Sequence, residues 1–312
     1  MGRQPTLDEL FERRITYPDF EPQERLERLV GLEDYKLRLT KILALLVNPA
    51  GLEVWAKKYH GKANGLLDFV LRRPPLIVLA GDVGSGKTEL AETIGDAVAR
   101  HEKIGITLFP LSLTTRGEGR VGEMTQLLST AFEHTAAAAS KLKSDTGRAQ
   151  GAVILLVDEA DALAQSREES QMHHEDRAGV NAFIRGVDRL ARSRLPAAVI
   201  MCTNRLSALD PAVRRRAADI LTFTRPDKAQ RQAILGPALE QIGFSPQQID
   251  AVVAATGAVN GREHGFTGSD LTQRLIPAIV LDAYPDRAVD PGRAVEIAEG
   301  MSPTLPFRVG SQ

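Results

Sequence analysis

The chain is short of the residues that would commit it to several chemistries. It has one cysteine, Cys202, in 312 residues, which excludes a disulfide framework and a thiolate zinc site. That cysteine sits in Val199-Ile200-Met201-Cys202-Thr203, the setting of a small buried strand residue. No apolar run reaches the roughly 20 residues needed to span a bilayer. The opening Met1-Gly2-Arg3-Gln4-Pro5-Thr6 lacks the apolar stretch of a secretion signal, so the cytoplasm is the expected compartment and no membrane is expected as a partner. Net charge is missing too: 39 basic against 40 acidic side chains leave −1. Such a balance gives no global field to draw in nucleic acid. What remains, 43% apolar and 25% charged residues, is an ordinary globular composition. The length suits one large domain with a small one, or two medium domains.

Residues 1–28 are polar and charged, with Pro18 and Pro22, and read as a flexible arm. From Val30-Gly31-Leu32 a helical stripe begins, carried by Leu32, Tyr35, Leu39, Leu43 and Leu46, and it ends near Asn48-Pro49. Five β-type runs follow, at 75–80, 105–111, 152–157, 197–202 and 219–223, separated by helical stretches. Three of them are almost unbroken apolar runs, as strands covered by helices on both faces must be. They predict a five-stranded parallel α/β sheet at 29–226. Beyond Pro226 no strand is expected. Helices at 228–242, 246–256, 268–284 and 290–300 predict a separate all-helical domain at 227–302, before a tail at 303–312.

Gly81-Asp82-Val83-Gly84-Ser85-Gly86-Lys87-Thr88 matches the phosphate-binding pattern G-x-x-x-x-G-K-[ST], after a strand and before a helix. Glycines let the backbone curl until successive N–H groups point inward, and those donors and the helix N-terminus hold phosphate oxygens. Lys87 supplies a point charge for the β- and γ-phosphates of ATP, and the Thr88 hydroxyl can ligate Mg²⁺. The second motif, Val153-Ile154-Leu155-Leu156-Val157-Asp158-Glu159, sets two carboxylates at the C-terminal end of a buried strand, the edge where α/β sheets bind ligands. Asp158 suits the Mg²⁺ shell, and Glu159 suits the base that polarises an attacking water. A helix N-terminus also attracts acids, but the upstream phosphate loop favours catalysis, and hydrolysis over kinase-type transfer. The next strand ends in Cys202-Thr203-Asn204, and Asn204 is a candidate to bond the γ-phosphate or the water. Before the last strand stand Arg214, Arg215 and Arg216. An arginine aimed at the γ-phosphate of a neighbouring subunit stabilises transition-state charge.

The order of these features (phosphate loop, Asp-Glu, strand-tip Asn, arginine cluster, helical lid) resembles that of AAA+ ATPases over roughly residues 29–300. Val30-Gly31-Leu32-Glu33 resembles the segment that lines the adenine pocket of that module, so Val30 and Gly31 join the nucleotide-binding set. Within AAA+ the chain is similar to the HORMA-domain remodelers: the pachytene-checkpoint ATPases and their short bacterial relatives in CBASS anti-phage systems. The resemblance lies in Leu111–Glu123, in Ala164–Arg167 with Gly179–Asp188, and in Arg216-Ala217 before Asp219-Ile220. It implies ATP hydrolysis coupled to remodelling of a HORMA-domain partner, with nucleotide between the two domains and a homo-oligomeric ring, a hexamer. It selects Arg216 as the finger, while general AAA+ spacing selects Arg215. It also implies pore loops that touch the substrate: Arg120 and Val121 in one, His173 and His174 in the second. In the lid stretch Gly265-Phe266-Thr267-Gly268-Ser269, Gly268 belongs with the nucleotide contacts, and Ser269 stands where those relatives carry an arginine. Other readings stay open: a rubisco-activase-like or proteolysis-linked unfoldase, a nucleic-acid loader, which the neutral charge disfavours, and a nucleotide-gated scaffold.

Overall fold

The computed structural model describes residues 10–11, 13–61, 64–113, 123–144, 149–163, 174–258 and 262–306. Two compact units divide the chain. The first carries the sheet, and the second comprises Arg28–Glu33, Gly81–Lys87 and the chain from Phe223 onward.

The sheet has six strands: β1 (Ile15–Tyr17), β2 (Leu76–Gly81), β3 (Gly105–Ser112), β4 (Gly151–Asp158), β5 (Ala197–Thr203) and β6 (Ala217–Phe223), in the order β1-β3-β4-β5-β2-β6. β2 to β6 are the five expected strands. The pairs β3–β4, β4–β5 and β5–β2 are parallel, with Val157 opposite Met201 at the tips of β4 and β5. β5 is buried along its whole length, and β4 is buried up to Asp158. Helices α1 (Phe20–Arg28), α2 (Glu33–Val47), α3 (Ala50–His60), α4 (Asn64–Leu71), α5 (Lys87–Glu102), α6 (Glu123–Ser140), α7 (His174–Ser193) and the short α8 (Pro211–Arg214) complete this part of the chain. α6 and α7 pack on each other and fill the core with Phe132 and Phe183, edge to face at 5.5 Å, against Val153 and Leu155 of β4.

Residues 13–27 of the segment expected as a flexible arm are instead built into this unit. β1 pairs antiparallel with β3, Thr16 opposite Thr107. Arg25 of α1 reaches Glu89 at 2.7 Å and Glu92 at 2.8 Å on α5, and the Asp19 N–H donates to Asp96 at 2.8 Å. Composition marks these charges as solvated, but their partners lie more than 60 residues away and were invisible to a local reading.

The second unit contains α9 (Lys228–Gln241), α10 (Pro246–Ala255), a π-helical turn at Asp270–Leu275 leading into α11 (Ile276–Ala283), and α12 (Pro291–Gly300). Asp227 with Gln230 and Ser245 with Gln248 form capping boxes that start α9 and α10. Leu235, Leu239, Val252, Phe266, Leu271 and Leu275 form a core separate from that of the sheet. The third expected helix thus begins at 268 as expected and passes through a π-helical stretch at Asp270–Leu275. No single helix among the described residues is long and apolar enough to cross a membrane.

Candidate active site

In the first unit, the tips of β3, β4 and β5 bring the carboxylate motif together with hydroxyl and amide groups. The Thr88 hydroxyl donates to Asp158 Oδ1 at 3.3 Å, and the Glu159 N–H donates to the same oxygen at 2.8 Å. Burial pushes the Asp158 carboxyl above the usual carboxylate range, and these two donors only partly oppose it. Glu159 leaves the strand at φ 52°, an uncommon value for a residue with a side chain, and its Oε2 accepts from the Ser112 hydroxyl at 3.0 Å. Asn204 follows β5 directly, and its N–H and side-chain amide both donate to Asp161. A hydroxyl and a carboxylate side by side are the hard oxygen donors that Mg²⁺ takes in small number, and Thr88 and Asp158 fit that ion. No cluster of three or more His, Cys, Asp or Glu that could hold a metal occurs among the described residues.

In the second unit, the phosphate loop is shaped mostly by backbone. Gly81 has φ 149°, and a Cβ there would fall on the Phe223 carbonyl oxygen. Gly84 has φ 73°, and its Cβ would stand 2.8 Å from Thr267 Oγ1. Only glycine tolerates both demands. Lys87 is buried, and its ammonium donates to the carbonyls of Gly81 at 2.9 Å and Asp82 at 2.7 Å, and to Ser85 Oγ at 3.3 Å. The Ser269 N–H donates to Gly84 O at 3.0 Å, which sets Gly268 beside the loop. Leu29 and Leu32 lie against Gly86, and Gln230 donates to Gly31 O at 2.8 Å. This unit therefore gathers Val30, Gly31, the loop from Gly81 to Lys87, with Val83 at its exposed crest, and Gly268.

Arg216 donates to Asp188 through Nε at 2.8 Å and Nη2 at 3.1 Å, and to Ala212 O through Nη1 at 3.0 Å. Arg215 is exposed. Arg120, Val121 and His173 lie outside the described residues, and His174 opens α7. Sequence reasoning missed four partners: Ser112 on Glu159, Asp161 on Asn204, Asp188 on Arg216, and Arg225. Arg225 joins Asp82 at 2.8 Å to the carbonyls of Gly265 and Thr304, both at 2.7 Å. Only Asp161 had a local signal, as the third acid of Asp158-Glu159-Ala160-Asp161.

A phosphate loop after one strand, with an Asp-Glu pair and an Asn at the tips of two others, is what a nucleotide hydrolase requires. Comparison with known proteins points the same way. Residues 77–225 match the ATPase family associated with various cellular activities (AAA). The chain is 65% identical over 307 residues to CD-NTase-associated protein 6 of Escherichia coli (strain MS 115-1), covering 98% of this chain and 99% of that one. The solved E. coli MS115-1 HORMA:CdnC:Trip13 complex contains a chain similar at TM-score 0.91 and 64% identity, covering 98% of this chain and 100% of that one. The structure of Rhizobiales Trip13 is similar at TM-score 0.76 and 58% identity, covering 95% and 100%. This chain belongs to the AAA family of ATPases, in the branch that holds CD-NTase-associated protein 6.

Proposed function

We propose that this chain hydrolyses ATP and couples the hydrolysis to a conformational change in a HORMA-domain signalling protein, within an anti-phage defence system, as a homohexameric ring in the cytoplasm. The observation that carries the chemistry is the strand-tip cluster, in which Thr88, Asp158 and Glu159 present a hydroxyl and two carboxylates next to Asn204. The partner is supported by the HORMA protein in the solved complex of a chain 64% identical to this one.

The loop N–H groups and Lys87 bind the phosphates, which compete with the Gly81 and Asp82 carbonyls for the ammonium. Thr88 and Asp158 would hold Mg²⁺, which would supply charge neutralisation at the phosphates. Glu159 accepts a proton from the attacking water. The finger is assigned to Arg215 of a neighbouring subunit, because the Arg216 guanidinium is committed to Asp188 of its own chain. Arg120, Val121, His173 and His174 contact the substrate rather than the nucleotide.

The test is steady-state ATP turnover and conversion of the cognate HORMA-domain protein, with Lys87→Ala beside the parent. The variant should lose roughly 10- to 100-fold in nucleotide affinity, as expected for a charge-assisted contact. ATP turnover that leaves the HORMA-domain protein unconverted would remove the partner and keep the ATPase. Unchanged affinity in Lys87→Ala would remove the phosphate site.

A further inference from the structure

Asp161 lies in the 3-10 turn Ala160–Leu163 after β4 and has no role in the chemistry above. Its carboxylate collects three donors from the end of β5. Oδ1 accepts from the Thr203 hydroxyl at 2.7 Å and the Asn204 backbone N–H at 2.9 Å, and Oδ2 accepts from Asn204 Nδ2 at 3.0 Å. Thr203 is buried, and its oxygen accepts in turn from the Arg205 N–H at 3.0 Å, so the turn and the strand end are locked together.

The chemistry of the partners settles which way the Asn204 amide faces. An ionised carboxylate only accepts hydrogen bonds. Asn204 must therefore turn its NH₂ edge toward Asp161, and the planar amide puts Oδ1 on the opposite edge. Without such a partner an asparagine amide, with its broad two-fold terminal torsion, shows either edge. We infer that Asp161 is a positioning residue that fixes Asn204 with its amide oxygen as an acceptor, so that Asn204 orients the attacking water by accepting a hydrogen bond from it. Glu159 and Asn204 leave neighbouring strand ends, since Val157 and Met201 are in register. One O–H of that water donates to Glu159, which takes the proton, and the other donates to Asn204 Oδ1, which leaves an oxygen lone pair to face the phosphorus. An ionised phosphate oxygen has no proton to give to Oδ1, so water is the ligand this edge selects.

This inference rests on the reading that Glu159 and Asn204 serve ATP hydrolysis, and a swap separates the two. In Asp161→Asn the new amide keeps its oxygen on the Thr203 and Asn204 donors and turns its NH₂ toward the Asn204 side chain. Two NH₂ groups cannot pair, so Asn204 flips and loses its acceptor edge. In Asn204→Asp, two carboxylates face each other. In the double variant, the amide introduced at position 161 donates to the carboxylate introduced at position 204, whose other oxygen again faces outward as an acceptor. Each single variant should lose roughly 10- to 100-fold in kcat, the loss expected for one hydrogen bond to a reacting group. KM for ATP and affinity for ADP should stay within about twofold. The double variant should exceed both singles by roughly tenfold. A double variant that binds ADP and melts like the parent, yet turns over no faster than either single, overturns the inference. So does Asp161→Asn with the parent's kcat. A parent chain without ATP turnover, or Glu159→Gln at the parent's rate, overturns the underlying reading instead.

Discussion

Asp158 is partly and Asp270 fully withdrawn from water, and their surroundings act on them in opposite directions. Burial raises the Asp158 carboxyl, and one N–H and one hydroxyl do not compensate. Burial also acts to raise Asp270, but the Thr267 and Thr304 N–H groups, the Thr304 hydroxyl and Arg274 together outweigh it and bring the carboxyl down to about 2. The contacts are close: 3.0 Å from Thr267 N, 2.9 Å from Thr304 N, 2.7 Å from Thr304 Oγ1 and 2.6 Å from Arg274. A carboxylate with that many donors is complete, and its charge is part of the lid's architecture. A carboxylate held by one N–H and one long hydroxyl contact, both on the same oxygen, keeps an unfavourable charge, and a cation relieves it. The strand-tip carboxylate thus stands to gain a further partner, and the lid carboxylate already has its own.

The largest expected effect lies outside both carboxylates. Arg215→Ala should lower turnover by about 10³–10⁵, the range for arginine fingers, with ADP affinity unchanged. Mixing Arg215→Ala subunits with Glu159→Gln subunits should restore part of the activity, because some interfaces then pair an intact finger with an intact base. Arg216→Ala should instead lower the melting temperature by breaking its pair with Asp188. If only Arg216→Ala shows rescue on mixing, the assignment to Arg215 is wrong.

Next in size, Glu159→Gln should slow hydrolysis by about 10²–10⁴ and leave the melting temperature and ADP affinity alone. Asp158→Asn should be milder in rate and should raise the Mg²⁺ concentration for half-maximal turnover by roughly 10- to 100-fold, a typical cost of disturbing a metal site. It should not destabilise the fold, because it removes a partly buried charge whose ionised form burial disfavours. Loss of melting temperature in either variant would erase the contrast with the lid.

The same contrast explains what could be read from the sequence. The phosphate loop was legible because its shape is a matter of backbone, and backbone demands are written locally as glycine spacing at Gly81, Gly84 and Gly86. Asp158 and Glu159 were legible because an apolar run followed by acids is contiguous. The strands β2 to β6 and the lid helices were legible from periodicity and punctuation. β1 was not, because three residues between Arg14 and Pro18 acquire meaning only beside Thr107 of β3. Nor were the side-chain partners: Asp161 and Asn204 are 43 positions apart, and Asp82 and Arg225 are 143 apart. Such pairs are products of strand order and register, which the parallel sheet fixes only once it has formed. The positive φ of Glu159 likewise has no local signature.

The smallest expected effect tests the lid side of the comparison and concerns stability alone. The folded Asp270 carboxyl lies at about 2, and an unfolded aspartate lies near ~3.9. The folded state thus binds the proton more weakly, so ionised Asp270 stabilises the fold above the unfolded value. That contribution is lost as pH falls from about 4 through about 2. A shift of this size corresponds to on the order of 2 kcal/mol at neutral pH. Asp270→Asn keeps the volume but removes the charge and one acceptor, so Thr267, Thr304 and Arg274 lose their shared partner. Denaturant unfolding of parent and variant should differ by about that amount at roughly neutral pH. The gap should narrow below about pH 4 and close as the pH falls through about 2, where the parent's carboxyl takes up its proton as well. Measurement in saturating ADP and without it tells whether the lid turn also supports the loop through Ser269 and Gly84. A gap that stays constant from neutral pH down to about pH 2 would mean that Asp270 acts through shape rather than charge, and the opposition between the two carboxylates would not hold.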